Sequence, residues 1–490
     1  MLFNSVGFIV FFPIVTFLYF TMPHRYRWFL LLAASCYFYM SFVPIYILIL
    51  FFTIIVDYAA GRLIENAQGK KRKFFLILSI VANVGVLFFF KYFNFFNHNI
   101  AHLTGVLGWN YPIKNLAILL PIGLSFHTFQ SMSYTIEVFR GRQKSERNIG
   151  IFALYVMFYP QLVAGPIERP QNLLHQFYEK HEFNLQRVGS GLQRMLWGFF
   201  KKAVIADRLS SFVNQVFNNV YDYKGISLII ATVFFAFQIY CDFSGYSDIA
   251  LGAAEIMGFK LMQNFDRPYI SRSISEFWKR WHISLSSWFR DYVYIPLGGN
   301  RVVWWRISLN IMIVFLLSGL WHGANWTYIF WGVLNGIYLV ISIWTTSIRK
   351  NISAVIGLDK LPKIQKIWQM SATFSLTCFA WIFFRANTLV DAKYIVKNIF
   401  TGWSNFLHNI NNLTFLKEYI LMRQNPTEFV IAILGILFLL SAEWWQTKTT
   451  ALTTGIAARP WLKTVAYAII LFLIFFLGEF KNQQFIYFQF

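Results

Sequence analysis

Apolar runs long enough to cross a membrane, each closed by a short basic cluster, recur along the chain. The pattern is clearest from Arg306 to Asn335, RISLNIMIVFLLSGLWHGANWTYIFWGVLN. Ile307 to Leu320 carries no charge; Trp321, His322 and Gly323 follow, and a second apolar run ends only at Arg349 and Lys350. Basic residues at both outer ends predict a hairpin that enters and leaves the membrane on one side. The titratable group between the two runs is His322. An ionisable side chain at that depth is costly and marks a functional position that needs a partner or a wet cavity.

Elsewhere the basic clusters fix the direction of each crossing. A first helix over about Val6–Met22 ends at Arg25 and Arg27. Helices over about Trp28–Met40 and Val43–Tyr58 return to Arg62 and the Lys70–Lys73 cluster. A helix from Phe74 leads out to an aromatic, partly polar stretch around Tyr92–Trp109, and one over about Leu116–Phe139 returns to Arg140, Arg142, Lys144 and Arg147. Near the end, a helix over about Thr464–Leu477 leaves the tail GEFKNQQFIYFQF on the outer side. The first apolar run lacks a basic leader and a small-residue cleavage site, so it reads as a retained helix, and both termini are expected outside the cytoplasm. Runs suffice for about eleven to fourteen crossings or half-crossings at roughly 20 residues each.

Three stretches break this rhythm. FYPQLVAGPIERP (Phe158–Pro170) holds three prolines and a glycine at apparent membrane depth. Broken backbone is not tolerated in lipid, so the segment is expected to be re-entrant and packed in protein or against a cavity. In QIYCDFSGYSD (Gln238–Asp248), two aspartates, a glutamine and several hydroxyls interrupt an apolar run and read as cavity-facing. From Pro268 to Arg306, tryptophans and charges interleave as expected of an interfacial helix.

Composition narrows the class. Of 490 residues, 57% are hydrophobic and 13% charged, and the mean hydropathy is +0.49. This excludes a soluble globular domain and predicts an all-α polytopic membrane protein, a single integral domain over residues 1–490. The net charge of +22 lies in clusters between apolar runs, so it reports topology rather than nucleic-acid binding. Three well-separated cysteines with no CxxC pair indicate neither a disulfide framework nor a metal site.

PIGLSFHTFQSMSYTIEVFRG (Pro121–Gly141), PQLVAGPIERP (Pro160–Pro170), YCDFSGYSDIALGAAEIMGF (Tyr240–Phe259), NFDRPYISRSISEFWKRWHISLSSWFRDYVYIPLGGNR (Asn264–Arg301) and LSGLWHGANWTYIFWGVLNG (Leu317–Gly336) together resemble the membrane-bound O-acyltransferases. Their branch is that of the alginate and peptidoglycan O-acetyltransferases, related to the teichoic-acid D-alanyl transfer protein. The resemblance implies a helical core with re-entrant segments and a central tunnel. It also implies transfer of an acetyl group from acetyl-coenzyme A, a substrate rather than a bound cofactor, toward an extracytoplasmic polysaccharide in a bacterial inner membrane. Relatives of this branch usually work with a separate esterase-like, SGNH-type acyltransferase, and such a partner is expected here.

By the same resemblance His322 matches the invariant histidine and His282 the second polar catalytic position. Acyl transfer to a hydroxyl needs a base with a pKa near neutrality, which suits histidine. His322 is expected to take the proton, with His282, Asn325, Trp326 or a backbone N–H supporting the developing oxyanion. Trp321, Asn335, Gln238 and Asp242 complete the tunnel candidates; the family often has a histidine where Asn335 stands, so proton transfer is not expected there. Lys279, Arg280 and Arg290 are candidates to hold donor phosphates, although such cations also set topology and bind anionic membrane lipid. The terminal FIYFQF (Phe485–Phe490) resembles an aromatic motif of the branch in which a tyrosine carries the acyl group, which makes Tyr487 a candidate relay; with a free pKa near 10 its phenol needs a base in reach. A polysaccharide or lipid transporter or flippase would also suit broken membrane helices, but no inverted repeat accompanies them. An inert scaffold would leave acylation insensitive to His322.

Overall fold

The computed structural model describes residues 1–117, 120–452, 460–480 and 485–486. Among them every regular element is helical. Seven helices are long and apolar enough to cross a membrane: Pro44–Asn66, Gly69–Val106, Ile226–Met257, Trp304–His322, Trp326–Trp344, Pro362–Arg385 and Pro426–Gln446; Val6–Thr21 and Thr464–Leu477 are shorter apolar helices. The protein is an all-α multi-pass membrane protein. Among the described residues, some apolar runs are core rather than spans. Ile149–Met157 is nine residues long, and everything from Ile151 onward in it is buried.

The sequence reads as one domain, and the chain folds as two compact units. One comprises 1–195 with 246–263, the other 196–245 with 264–486.

In the first unit the aromatic stretch after Phe74 does not end the helix: Gly69–Val106 runs on through a π-helical turn at Phe88–Tyr92. The helix expected from Leu116 starts instead at Leu124; positions 118 and 119 lie outside the described residues. Pro121 and Gly123 delay it. Gly123 sits at φ +77°, where a Cβ would stand 2.8 Å from the Leu162 carbonyl oxygen, so only glycine fits. The proline-rich segment is indeed packed in protein: Tyr159, Ala164 and Glu168 are fully buried. The Glu168 carboxylate accepts from the Asn172 amide and the Met262 N–H, replacing the missing helical ladder. Asp57, also fully buried, accepts from Ser79 at 2.6 Å, Asn83 at 2.8 Å and Ser131, which links three helices through one satisfied carboxylate.

The second unit holds the hairpin. Trp304–His322 and Trp326–Trp344 pack closely because glycines face each other: a Cβ on Gly332 would lie 2.3 Å from the Phe315 carbonyl oxygen, and one on Gly319 would lie 2.4 Å from that of Tyr328. Gln238, Asp242 and Ser244 leave the helix Ile226–Met257 unbroken and are buried. The interfacial helix expected after Pro268 is instead two short helices, Ile274–Arg280 and Ile283–Phe289, followed by a π-helical turn at Arg290–Tyr294. The break falls at His282, whose φ of +45° no helix interior allows.

Candidate active site

His322 is the last residue of the first hairpin helix, and the turn that follows it is fixed at both ends. Gly323 N–H bonds back to Gly319 at 3.4 Å, and the Asn325 side chain caps the next helix by accepting from Thr327 N–H at 3.0 Å. The imidazole is 4% exposed. Three rings meet it edge to face, Trp321 at 5.0 Å, Trp331 at 4.9 Å and Phe384 at 5.1 Å between centroids. Three helices thus contribute to one aromatic collar.

His282 is buried beside it. Its ring meets Phe243 at 4.7 Å and Trp321 at 5.8 Å, so Trp321 touches both imidazoles. Asn264 sets the backbone on which His282 sits: its carbonyl accepts Ile283 N–H at 2.9 Å and its side chain accepts the Ser284 hydroxyl at 2.6 Å. The strained φ is therefore held by neighbours rather than by the residue itself, a pattern that clusters at functional positions. Burial pushes the His282 imidazole down to about 3. Such a ring is a weak base at neutral pH but still an N–H donor.

A cavity of about 540 Å³ adjoins the collar, lined among others by Trp278, Lys279, Ser286, Arg290, Phe315 and Ser318. Trp278, which lines the cavity, packs on Phe315 at 5.2 Å and on Trp331 at 5.8 Å, and Trp331 in turn meets His322, so a pair of indole rings lies between the cavity and the imidazole. The size suits a small-molecule ligand. Lys279 and Arg290 belong to the lining. Arg280 does not; it pairs with Glu276 at 2.9 Å and Asp266 at 3.3 Å.

The other candidates separate clearly. Trp321 is at the centre. Asn335 is buried and donates to the Trp331 carbonyl at 2.9 Å, one turn behind a ring that touches His322. Asn325 serves as a cap, its amide also reaching the Asn387 carbonyl at 3.4 Å. Trp326 is 51% exposed: five residues before Trp331, it lies about 140° around the helix from it. Gln238 is buried farther along Ile226–Met257. Asp242 cannot support an oxyanion, because as a carboxylate it only accepts; it pairs with Lys202 at 2.6 Å and accepts Ile486 N–H at 2.7 Å. Tyr487 lies outside the described residues. The tail before it does not lie free, since Phe485 and Ile486 are 2% and 4% exposed.

Sequence reasoning missed Trp331, Phe384, Phe243 and Asn264. Only Asn264 carried a signal, as a lone amide in the quoted NFDRP stretch. Lys202 was also missed, although a charge inside the run FFKKAVIA was visible.

Comparison with known proteins gives the family. Residues 74–355 match the model of the membrane-bound O-acyltransferase family. The chain is 38% identical over 422 residues to the probable alginate O-acetylase AlgI of Pseudomonas aeruginosa, covering 85% of this chain and 78% of that one. It is 35% identical to the protein of the same name from Pseudomonas putida, over the full length of both. It is 32% identical to the peptidoglycan O-acetyltransferase of Helicobacter pylori, over 94% of this chain and 91% of that one. A buried histidine at a hairpin turn, ringed by aromatics beside a ligand-sized cavity, thus lies in a chain that belongs to the membrane-bound O-acyltransferase family and is an O-acyltransferase.

Proposed function

We propose that this enzyme takes an acetyl group from acetyl-coenzyme A on the cytoplasmic side and passes it across a bacterial inner membrane for O-acetylation of a cell-surface polysaccharide. The observation that carries the proposal is the contact between Trp278, which lines the 540 Å³ cavity, and Trp331, which belongs to the collar of His322. In this mechanism the donor lies in the cavity, and Lys279 and Arg290 neutralise its phosphates. His322 takes the proton of the attacking hydroxyl; the oxygen adds to the thioester carbonyl carbon, and the C–S bond breaks. The departing thiolate then recovers the proton from His322. Neutral His282 donates to the oxyanion of the tetrahedral intermediate. The dry collar keeps water from competing for the thioester.

The attacking hydroxyl is assigned to Tyr487, which leaves an acetyl ester on the tail. Support comes from Phe485, which packs on Phe243 at 5.8 Å, the ring that also meets His282. A separate esterase-like acyltransferase on the outer side completes transfer to the polysaccharide. The names of the relatives, alginate and peptidoglycan acetylating proteins, favour such an acceptor.

The test is to incubate purified protein with radiolabelled acetyl-coenzyme A and to map covalent label by peptide mass spectrometry in wild type, His322→Ala and Tyr487→Phe. Label on Tyr487 in wild type alone supports the mechanism. Label undiminished in His322→Ala removes the base, and label undiminished in Tyr487→Phe removes the relay.

A further inference from the structure

The turn Phe200–Ala206 is π-helical. A π turn releases backbone carbonyls from the usual ladder, and such turns gather at functional sites. Here the Ala203 carbonyl accepts Glu479 N–H at 2.9 Å. One turn on, Arg208 donates through Nη2 to the Leu477 carbonyl at 2.5 Å. The end of the last helix and the chain just beyond it are therefore each bound once, to the helix Asp207–Phe217 and to the π turn that precedes it.

A third bond holds it deeper. Lys202, on the same turn, places its ammonium 2.7 Å from Asp207 and 2.6 Å from Asp242. All three side chains are at most 9% exposed. Asp242 gives one carboxylate oxygen to Lys202, and the other accepts the backbone N–H of Ile486 at 2.7 Å. Next to that bond, Phe485 lies on Phe243, one ring away from His282. A buried carboxylate that is half occupied by its ion pair and half by a main-chain amide recognises backbone, not a particular side chain.

We propose that Lys202 and Asp242 are positioning residues that latch Phe485 and Ile486, the start of the protein's own terminal aromatic motif, into the interior on the His282 side of the active site. The inference rests on the reading that this segment carries the acyl group. It assigns to Asp242 a role in holding the backbone of Ile486, the residue before the nucleophile, with no part in the bond-making step.

The test uses the full chain in detergent with single-amide hydrogen exchange. Ile486→Pro removes the N–H that Asp242 accepts and leaves every helix untouched; Ile486→Ala keeps that N–H and trims only the side chain. The expected result is that Ile486→Pro speeds exchange at Phe485 and Glu479 by roughly tenfold to a hundredfold, while Ile486→Ala speeds it far less. Lys202→Met, which leaves Asp242 without its cation, is expected to act in the same direction as Ile486→Pro. In Ile486→Pro, kcat for acetyl transfer should fall with the donor KM unchanged, while amide exchange in the hairpin helices stays at its wild-type rate, which a general loss of fold would not allow. Wild-type exchange in Ile486→Pro, or equal loss in Ile486→Ala, overturns the latch. Loosened exchange with undiminished label on Tyr487 keeps the latch and refutes its part in delivering the acyl group; protected exchange with label on Tyr487 refutes the latch and keeps the relay.

Discussion

His322 and His282 both lie among aromatic rings, and the tasks proposed for them differ. Replacing His322 with alanine is expected to lower acetyl transfer by about 10²- to 10⁴-fold, the range for loss of a general base, in protein that still elutes as wild type on size exclusion. His282 yields a pH signature instead. Its folded pKa of about 3 lies below the ordinary 6.5, so between those values the unfolded chain binds more protons than the folded one. Stability therefore rises with pH through that interval and falls again as acid is added. Melting temperatures of wild type and His282→Asn should diverge less and less as pH drops from 6.5; a constant gap would contradict a buried neutral imidazole. How much of the site can be read from sequence follows from the same physics. A histidine between two uncharged runs is conspicuous, because nothing else there titrates. The collar is not: with 20% aromatic residues in the chain, Trp331 and Phe384 look like any other apolar packing, and only the fold separates them from the outward-facing Trp326.

Among elements, the hairpin is the least forgiving. Gly332→Val would drive a branched side chain into the Phe315 carbonyl at 2.3 Å, where no rotamer provides relief. A loss of about 1–3 kcal/mol is expected from overpacking of this kind, read as a lower melting temperature in detergent. The contrast is Gly85→Ala. Gly85 lies within the helix Gly69–Leu87 with nothing within 4 Å of an added Cβ, so the change should be neutral or stabilising by roughly 0.5–1 kcal/mol. The hairpin was legible because both of its faces are apolar and its ends are charged. The segment after Pro268 was not, since its amphipathic pattern suits one interfacial helix as well as two short ones. The break at His282 depends on Asn264, eighteen positions earlier, and periodicity cannot reveal a partner at that distance.

For the whole molecule, the positive-inside pattern makes a mapping prediction. Cysteines introduced at the exposed positions Lys71 and Lys350 should react with an impermeant thiol reagent only from the cytoplasmic face; the helix Pro362–Arg385 leads outward from the basic stretch Lys350–Lys366 to a polar, asparagine-containing loop, so one at the exposed Asn411 should react only from the outer face. Cys241 and Cys378 are buried and should stay silent in intact protein; labelling of Asn411→Cys from the cytoplasm would overturn the orientation. The two units are each assembled from separate stretches of sequence, a feature that no local pattern discloses. The bond from Ile486 to Asp242, 244 positions apart, then carries a consequence for synthesis. At about 5–20 residues per second, a ribosome needs roughly 12–50 s after adding Asp242 before it adds Ile486. Throughout that interval the nascent protein carries a carboxylate in an apolar stretch with its eventual amide partner not yet made, and Lys202, translated 40 residues before it, is already there to neutralise it. Of the two groups that share the Asp242 carboxylate, the ammonium of Lys202 is thus made before it and the amide of Ile486 long after.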